Sequence, residues 1–236
     1  MHAVLAHPQW PASDLSSLAF VSAGSSIVPL PLIEGFHARG VPVAQVYGAT
    51  ETGPVTMVLR PREAMAHPGS VGRPALGVQI RLEDREIWVR APNLARGYHR
   101  LLNEEAFEGG WFKTGDLATV DDAGFYRIVG RQKEVIISGG ENIDPAEIEN
   151  LVVGVVGVVE CVVVGVPDAR WGEVPVLVVV RAPGDHVTET DVRAAWVDRL
   201  ARFKQPQRVY FVAALPKTAL GKVQRSLLRQ QLIDAD

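Results

Sequence analysis

The chain has 236 residues, enough for one or two domains with real cores. Hydrophobic residues make up 47% and charged ones 22%, the balance of a water-soluble globular protein rather than a disordered or fibrous one. The formal net charge of −3 offers no general attraction for nucleic acid or for an anionic membrane.

Cys161 is the only cysteine, which excludes an intrachain disulfide and fits a reducing cytoplasm. Its valine neighbours mark it as a small core residue rather than a nucleophile. Met1 to Pro11 lacks the long apolar core of a signal peptide, and no later run is long enough for a transmembrane segment. The nearest candidate, after Leu151, is broken by Gly154, Gly157 and Glu160. The six histidines have no metal-ligand spacing, so a zinc site is not expected.

In chain order, Leu18 to Ser22 reads as a short strand ending in Ala23-Gly-Ser-Ser26. Pro29 to Arg39 has helical spacing at Leu32, Ile33 and Phe36, with Gly40 placed to close it. Val43 to Tyr47 is the next strand. Strand–helix–strand is the building block of a parallel sheet, whose ligands sit at the carboxyl ends of strands. Both Ala23-Gly24-Ser25-Ser26 and Gly48-Ala49-Thr50-Glu51 fall at such ends. From Gly69 to Tyr126 short apolar runs, Val78 to Leu82 and Glu86 to Val89, alternate with turn residues, which predicts a small antiparallel sheet or partial barrel.

Phe125 to Val129 and Val135 to Ile137 are β-prone runs separated by the charged Gly130-Arg-Gln-Lys-Glu134. Ser138-Gly139-Gly140 then makes a turn where the backbone can approach something closely. Asp144, Pro145 and Glu147 read as N-cap, first helical position and first-turn carboxylate of a helix running to Val153. Strands are expected at Val158 to Val164, Val174 to Arg181 and Val209 to Val212. Helices are expected at Thr188 to Leu200, opened by a Thr188/Asp191 capping pair, and at Arg225 to Leu232. Two or three strands with helices on one face make an α+β arrangement.

Four segments stand out: Tyr47-Gly-Ala-Thr-Glu-Thr-Gly53, Gly110-Trp-Phe-Lys-Thr-Gly-Asp-Leu117, Gly124 to Glu149, and Leu215-Pro-Lys-Thr-Ala-Leu-Gly-Lys-Val-Gln-Arg225. In this order they resemble the adenylate-forming superfamily of acyl- and aryl-CoA ligases, luciferases and peptide-synthetase adenylation domains. The resemblance runs from about Leu15 onward and matches the C-terminal part of the family's length. It implies an α/β remnant of the large AMP-binding domain over 1–130, divided into a sheet remnant (1–68) and a small β-barrel-like part (69–130). A mobile α+β C-terminal domain would follow over 131–236.

The resemblance also implies roles. Gly24 and Ser25 would lie near the adenine and acyl group, and Tyr47, beside Gly48, would stack on adenine. Thr50 would contact phosphate, and Glu51 would help to hold Mg2+. Asp116 would hold both ribose hydroxyls of ATP or AMP, as a carboxylate can, with Arg131 also on the nucleotide. Lys133 would be the hinge. Lys222 would be the catalytic lysine on a mobile loop, meeting the substrate carboxylate and the phosphate charge. Lys217 would be supporting charge. Ser138, Gly139 and Gly140 would line the path of the coenzyme A pantetheine arm. Two readings of Trp171 stand side by side: stacking near the coenzyme A nucleotide, or packing at a rim.

Three departures from the family pattern stand out, and the first two bear on function. Nothing matches the Ser/Thr/Gly-rich loop with lysine that cradles the ATP phosphates. Gln205 and Gln207 are neutral where coenzyme A ligases often carry basic residues. Val155 and Val156 stand where His-Pro is common, a packing difference. The implied activity is an acyl-CoA ligase that joins a fatty or aryl acid to coenzyme A by ATP-dependent acyl-adenylate formation followed by thioester formation. An adenylation domain loading a carrier-protein thiol is a second possibility. The third is a non-catalytic truncated or split fragment that binds nucleotide, a partner chain or nothing; a separate N-terminal chain is one conceivable partner. On these grounds the isolated chain is expected not to form acyl-adenylate.

Overall fold

The computed structural model describes residues 1–24, 27–99, 105–219 and 221–235. The chain divides into two units, Met1–Val129 and Gly130–Asp236.

The first unit opens with α1 (His2–Leu5), a 3-10 turn at Trp10–Ala12, β1 (Val21–Ala23), α2 (Leu30–His37) and β2 (Val43–Ala49). β1 and β2 pair in parallel, with Val21 opposite Val43 and Ala23 opposite Gln45, so the strand–helix–strand reading holds. β1 lies slightly later than the expected Leu18 to Ser22. α2 buries Ile33 and Phe36 against Val41 and Val43, and Trp10 meets Phe36 edge-on at 4.9 Å. Gly40, at φ +73, accommodates the left-handed turn that ends the helix.

β3 (Gly53–Val58) folds back antiparallel on β2; after α3 (Pro61–Ala64), β4 (Arg73–Pro74) completes a mixed sheet in the order β1-β2-β3-β4. A second sheet follows from β5 (Gln79–Glu83), β6 (Glu86–Arg90), β7 (Phe107–Glu108), β8 (Trp111–Val120) and β9 (Tyr126–Arg131). Its order is β5-β6-β8-β7, with β9 also paired to β8. β6 alternates as its sequence does. Ile87 and Val89 enter a core with Tyr47, Met57, Val71 and Ala118. Trp88 faces the other way, where the Arg81 guanidinium lies over Trp88 at 4.3 Å and over Trp111 at 4.7 Å.

The second unit takes the last two residues of β9, Gly130 and Arg131, and continues with a 3-10 turn at Gln132–Glu134, β10 (Ile136–Ser138), β11 (Glu141–Ile143), α4 (Pro145–Val152) and β12 (Val158–Asp168). Then come β13 (Gly172–Arg181), α5 (Glu189–Ala194), β14 (Arg208–Val212) and α6 (Arg225–Ala235). β13 is central: antiparallel to β12 on one edge, parallel to β14 on the other, and joined to β10 through Ser138 and Gly172.

Three expectations for this unit are corrected. Helices cover both faces of the sheet, not one. α4 and the α5 region pack Ile148, Val152, Val192 and Trp196 against Val163, Leu177 and Val179. α6 places Leu228 against Val162, Val164, Val176 and Val178 on the other face. The strand count is five rather than two or three. The helix expected to reach Leu200 ends at Ala194, and Asp198 beyond it adopts a left-handed φ of 58° that no helix can continue. Its opening is as expected: Thr188 and Asp191 form a reciprocal capping box. Asp144 does occupy the N-cap of α4 before Pro145, but its side chain makes no capping hydrogen bond.

Among the described residues no helix is long and apolar enough to cross a membrane.

Candidate active site

In the first unit, the carboxyl end of β2 and the middle of β8 come together. Tyr47 is 9% exposed, Asp116 6%, and the Tyr47 hydroxyl donates to Asp116 Oδ2 at 2.8 Å. A local brace sets Asp116. Thr114 Oγ1 donates to the Ile87 carbonyl at 2.8 Å and accepts from the Asp116 amide at 3.1 Å, while the Gly115 amide donates to Glu86 at 2.8 Å.

The turn between β2 and β3 presents Thr50 to solvent, with Glu51 half-buried beside it. Gly48 is needed here for a packing reason, since a Cβ would come within 2.6 Å of the Gly53 carbonyl on the returning strand. Thr52 anchors the turn. It is 1% exposed, and its hydroxyl accepts from the Ala49 amide at 2.9 Å and from Thr56 at 2.7 Å. Glu51 is held from a distance: its Oε1 accepts from the Tyr98 hydroxyl at 2.7 Å and its carbonyl from the Ala95 amide at 2.7 Å. That hydrogen bond to the Glu51 carboxylate pushes the Tyr98 hydroxyl up to about 12. No local pattern pointed to Tyr98, because its partner lies 47 residues earlier.

Mg2+ fits this donor set. No cluster of three or more His, Cys, Asp or Glu gathers among the described residues. Mg2+ is commonly held by one or two carboxylates plus substrate phosphates, and the half-buried Glu51 carboxylate, steadied by Tyr98, could supply the protein's share. Gly24 follows β1 beside Val46, where a Cβ would come within 2.7 Å of Val46 Cγ2. Ser25 lies outside the described residues.

In the second unit, Arg131 ends β9 and Lys133 sits in the following 3-10 turn, both solvent-exposed. Ser138-Gly139-Gly140 forms the tight turn from β10 to β11. Trp171, 42% exposed, packs on it, and the Gly139 amide donates to the Trp171 carbonyl at 2.8 Å. Asp168 shapes the Trp171 loop, accepting from the Arg170 and Trp171 amides at 2.8 and 2.9 Å. The structure thus brings together the glycine turn expected to line the pantetheine path and the Trp171 loop.

Lys222 is exposed on a small hairpin. The Thr218 amide donates to the Lys222 carbonyl at 2.8 Å, the Lys222 amide to Thr218 Oγ1 at 3.2 Å, and the turn passes through Gly221 at φ +80. Lys217 pairs with Glu160 at 2.5 Å and pins the hairpin to β12. Lys204, in the stretch with Gln205 and Gln207, is engaged by Glu147 at 2.7 Å.

Two sequence profiles match: AMP-binding enzyme over residues 1–99 and AMP-binding enzyme C-terminal domain over residues 147–222. The chain belongs to the AMP-binding enzyme family. Within the family it is 43% identical to an indoleacetate–CoA ligase of Aromatoleum aromaticum, over 96% of this chain and 47% of that one. It is 41% identical to a feruloyl-CoA synthase of Amycolatopsis sp, over 97% of this chain and 49% of that one. Among solved family structures, an anthranilate CoA ligase in complex with anthranoyl-AMP matches all of this chain and 49% of its own, with a TM-score of 0.89 at 29% identity. An o-succinylbenzoate CoA synthetase from Bacillus subtilis, in complex with its acyl-adenylate, matches 88% of this chain and 45% of its own, with a TM-score of 0.81 at 35% identity. The chain spans about half the length of the curated relatives it matches.

Proposed function

We propose that the protein works in an AMP-forming acid–thiol ligase that makes a coenzyme A thioester. The Tyr47–Asp116 contact carries this reading, because residues from two separate nucleotide motifs meet at 2.8 Å at the end of a sheet strand. In the first step a carboxylate oxygen of the acid attacks the α-phosphorus of ATP and pyrophosphate leaves. In the second a thiolate attacks the acyl carbon and AMP leaves. A carboxylate alone would have to expel oxide, and AMP replaces that with a good leaving group.

Under this reading residues 1–130 are the C-terminal part of the large AMP-binding domain, and 131–236 form the mobile domain. Asp116 accepts from the ribose hydroxyls, with Arg131 also on the nucleotide. Tyr47, Gly48, Gly24 and Ser25 border the adenine and acyl group. Thr50 contacts phosphate. Glu51, steadied by Tyr98, holds Mg2+, which neutralises phosphate charge when bound. Lys222 stabilises charge in the first step. The unit then turns about Lys133 and brings Gly140 to the pantetheine arm, with Trp171 either stacked near the coenzyme A nucleotide or packed at the rim. The relatives named above act on acids bearing aromatic rings, which makes an aryl or arylalkyl acid the favoured substrate. A cytoplasmic setting fits the single reduced cysteine.

The test is acid-dependent exchange of labelled pyrophosphate into ATP, followed by thioester formation with free coenzyme A. It uses the enzyme together with whichever polypeptide supplies the phosphate-cradling loop. Saturable exchange with an aryl acid is expected. No exchange with any acid across an aromatic and fatty panel would overturn the ligase reading. Transfer to a carrier-protein thiol is the second reading. It is favoured by neutral Gln205 and Gln207 and by the engagement of Lys204, the one cation of residues 203–207, with Glu147. Indifference to free coenzyme A alongside robust exchange would select it.

A further inference from the structure

Arg225 opens α6 three residues after Lys222, and its side chain is only 25% exposed. Nε meets Glu134 Oε2 at 3.1 Å. Nη1 donates to Glu149 Oε1 at 2.7 Å and to the Val163 carbonyl at 2.8 Å, and Nη2 donates to Glu149 Oε2 at 3.0 Å. One guanidinium therefore joins four pieces of chain: the 3-10 turn carrying Lys133, α4, β12, and the base of the Lys222 hairpin. Its planar fork suits this task, whereas a lysine ammonium presents its donors from a single point.

We propose that Arg225 is a positioning residue that fastens the Lys222 hairpin to the hinge turn, so that the lysine and the turn move together. This rests on the reading of Lys133 as hinge and Lys222 as catalytic. The path from Arg225 to Lys222 is short and hydrogen-bonded. The Gln224 amide donates to the Pro216 carbonyl at 2.8 Å and closes the hairpin, and the Leu228 amide donates to the Gln224 carbonyl at 3.0 Å and starts the helix. At the other end, Glu134 directly follows Lys133. Without the guanidinium, the carboxylates of Glu134 and Glu149 would converge with no cation between them, and the turn would be pushed away from α4. The Lys217–Glu160 pair holds the far strand of the hairpin to β12 but makes no link to the turn. The tether thus gives Lys222 a fixed offset from the point about which the unit rotates.

Amide hydrogen exchange on the 236-residue chain tests this without any need for catalysis. Glu134→Ala cuts the link to the turn and leaves the Arg225 contacts with Glu149 and Val163 in place, so folding is preserved. Exchange at the Thr218, Gly221 and Gln224 amides is expected to rise about tenfold. Glu147→Ala, which breaks the surface pair with Lys204, should leave those amides within about twofold of the parent chain. Hairpin exchange that stays within about twofold in Glu134→Ala overturns the tether. Arg225→Lys should loosen turn and hairpin together, and if it fails to fold, Glu134→Ala still decides. In the exchange-competent enzyme, Glu134→Ala should lower kcat for adenylation about tenfold with little change in KM for ATP. If Lys222→Ala leaves pyrophosphate exchange intact, the catalytic reading of Lys222 falls while the tether stands on the amide data.

Discussion

Trp171 lies against the backbone of Gly139, so that a Cβ at position 139 would sit 2.7 Å from Trp171 Cε3. Gly139 also has a φ of +60. Glycine is therefore required twice, for conformation and for space, and the turn expected to leave room for a thin ligand is first of all a seat for an indole.

Gly139→Ala should cost about 1–2 kcal/mol through its left-handed backbone alone, and more if the indole cannot shift. Thermal unfolding would register the loss, and thioester formation should fall further than adenylation. Trp171→Ala separates the two readings of the indole. Stacking on the coenzyme raises KM for coenzyme A with little change in stability. Rim packing lowers Tm and leaves that KM where it was.

The Tyr47–Asp116 bond predicts different consequences for its two ends. Tyr47→Phe leaves a buried carboxylate with one donor fewer and should destabilise the protein by about 1–3 kcal/mol in urea unfolding. Asp116→Asn keeps the shape but removes the charge, and should weaken nucleotide binding more than stability. Equal loss of stability with unchanged nucleotide affinity in Asp116→Asn would mark the aspartate as a structural partner of Tyr47 only.

Lys222→Ala, measured in the exchange-competent enzyme, should slow adenylate formation on the order of 100-fold or more and spare thioester formation from supplied acyl-adenylate. Lys133→Pro should do the reverse, because proline locks φ where the chain must turn. Equal losses in both half-reactions for either variant would remove it from its assigned role.

The capping box at α5 makes a pH prediction. Thr188 donates from its hydroxyl and its amide to Asp191 Oδ2, at 2.6 and 2.8 Å, and these bonds hold the carboxyl below its ordinary value of 3.8. The unfolded chain then binds the proton more readily than the folded one. The contribution is present above pH 3.8 and is lost as pH falls through the depressed folded value. Asp191→Asn should remove this acid-side dependence. A parent and variant with parallel stability curves below about pH 5 would show that the cap carries no proton linkage.

Several features were legible because they are local. The Thr188/Asp191 pair needs only three residues of spacing, and β6 shows its buried face in the alternation of Ile87, Trp88 and Val89. The family motifs read as short segments in order. β13 was different. Its near-continuous apolar run from Val174 to Val180 carries no alternation, because both faces are buried, so the sequence could not say that α6 covers the second one. The end of α5 was also hidden, since Trp196 is buried at 1% exposure by a turn beyond the helix rather than by continuing it.

By itself the sequence determined the family, the order of the motifs and most of the strands, because each depends on residues a few positions apart. The tertiary structure decided which side chains act on one another. Tyr98 reaches Glu51 across 47 residues, Asp116 reaches Tyr47 across 69, and Arg225 reaches Glu149 across 76. Such pairs depend on the register of strands and the packing of a core, and these are set by the summed burial of many residues rather than by any short window of sequence.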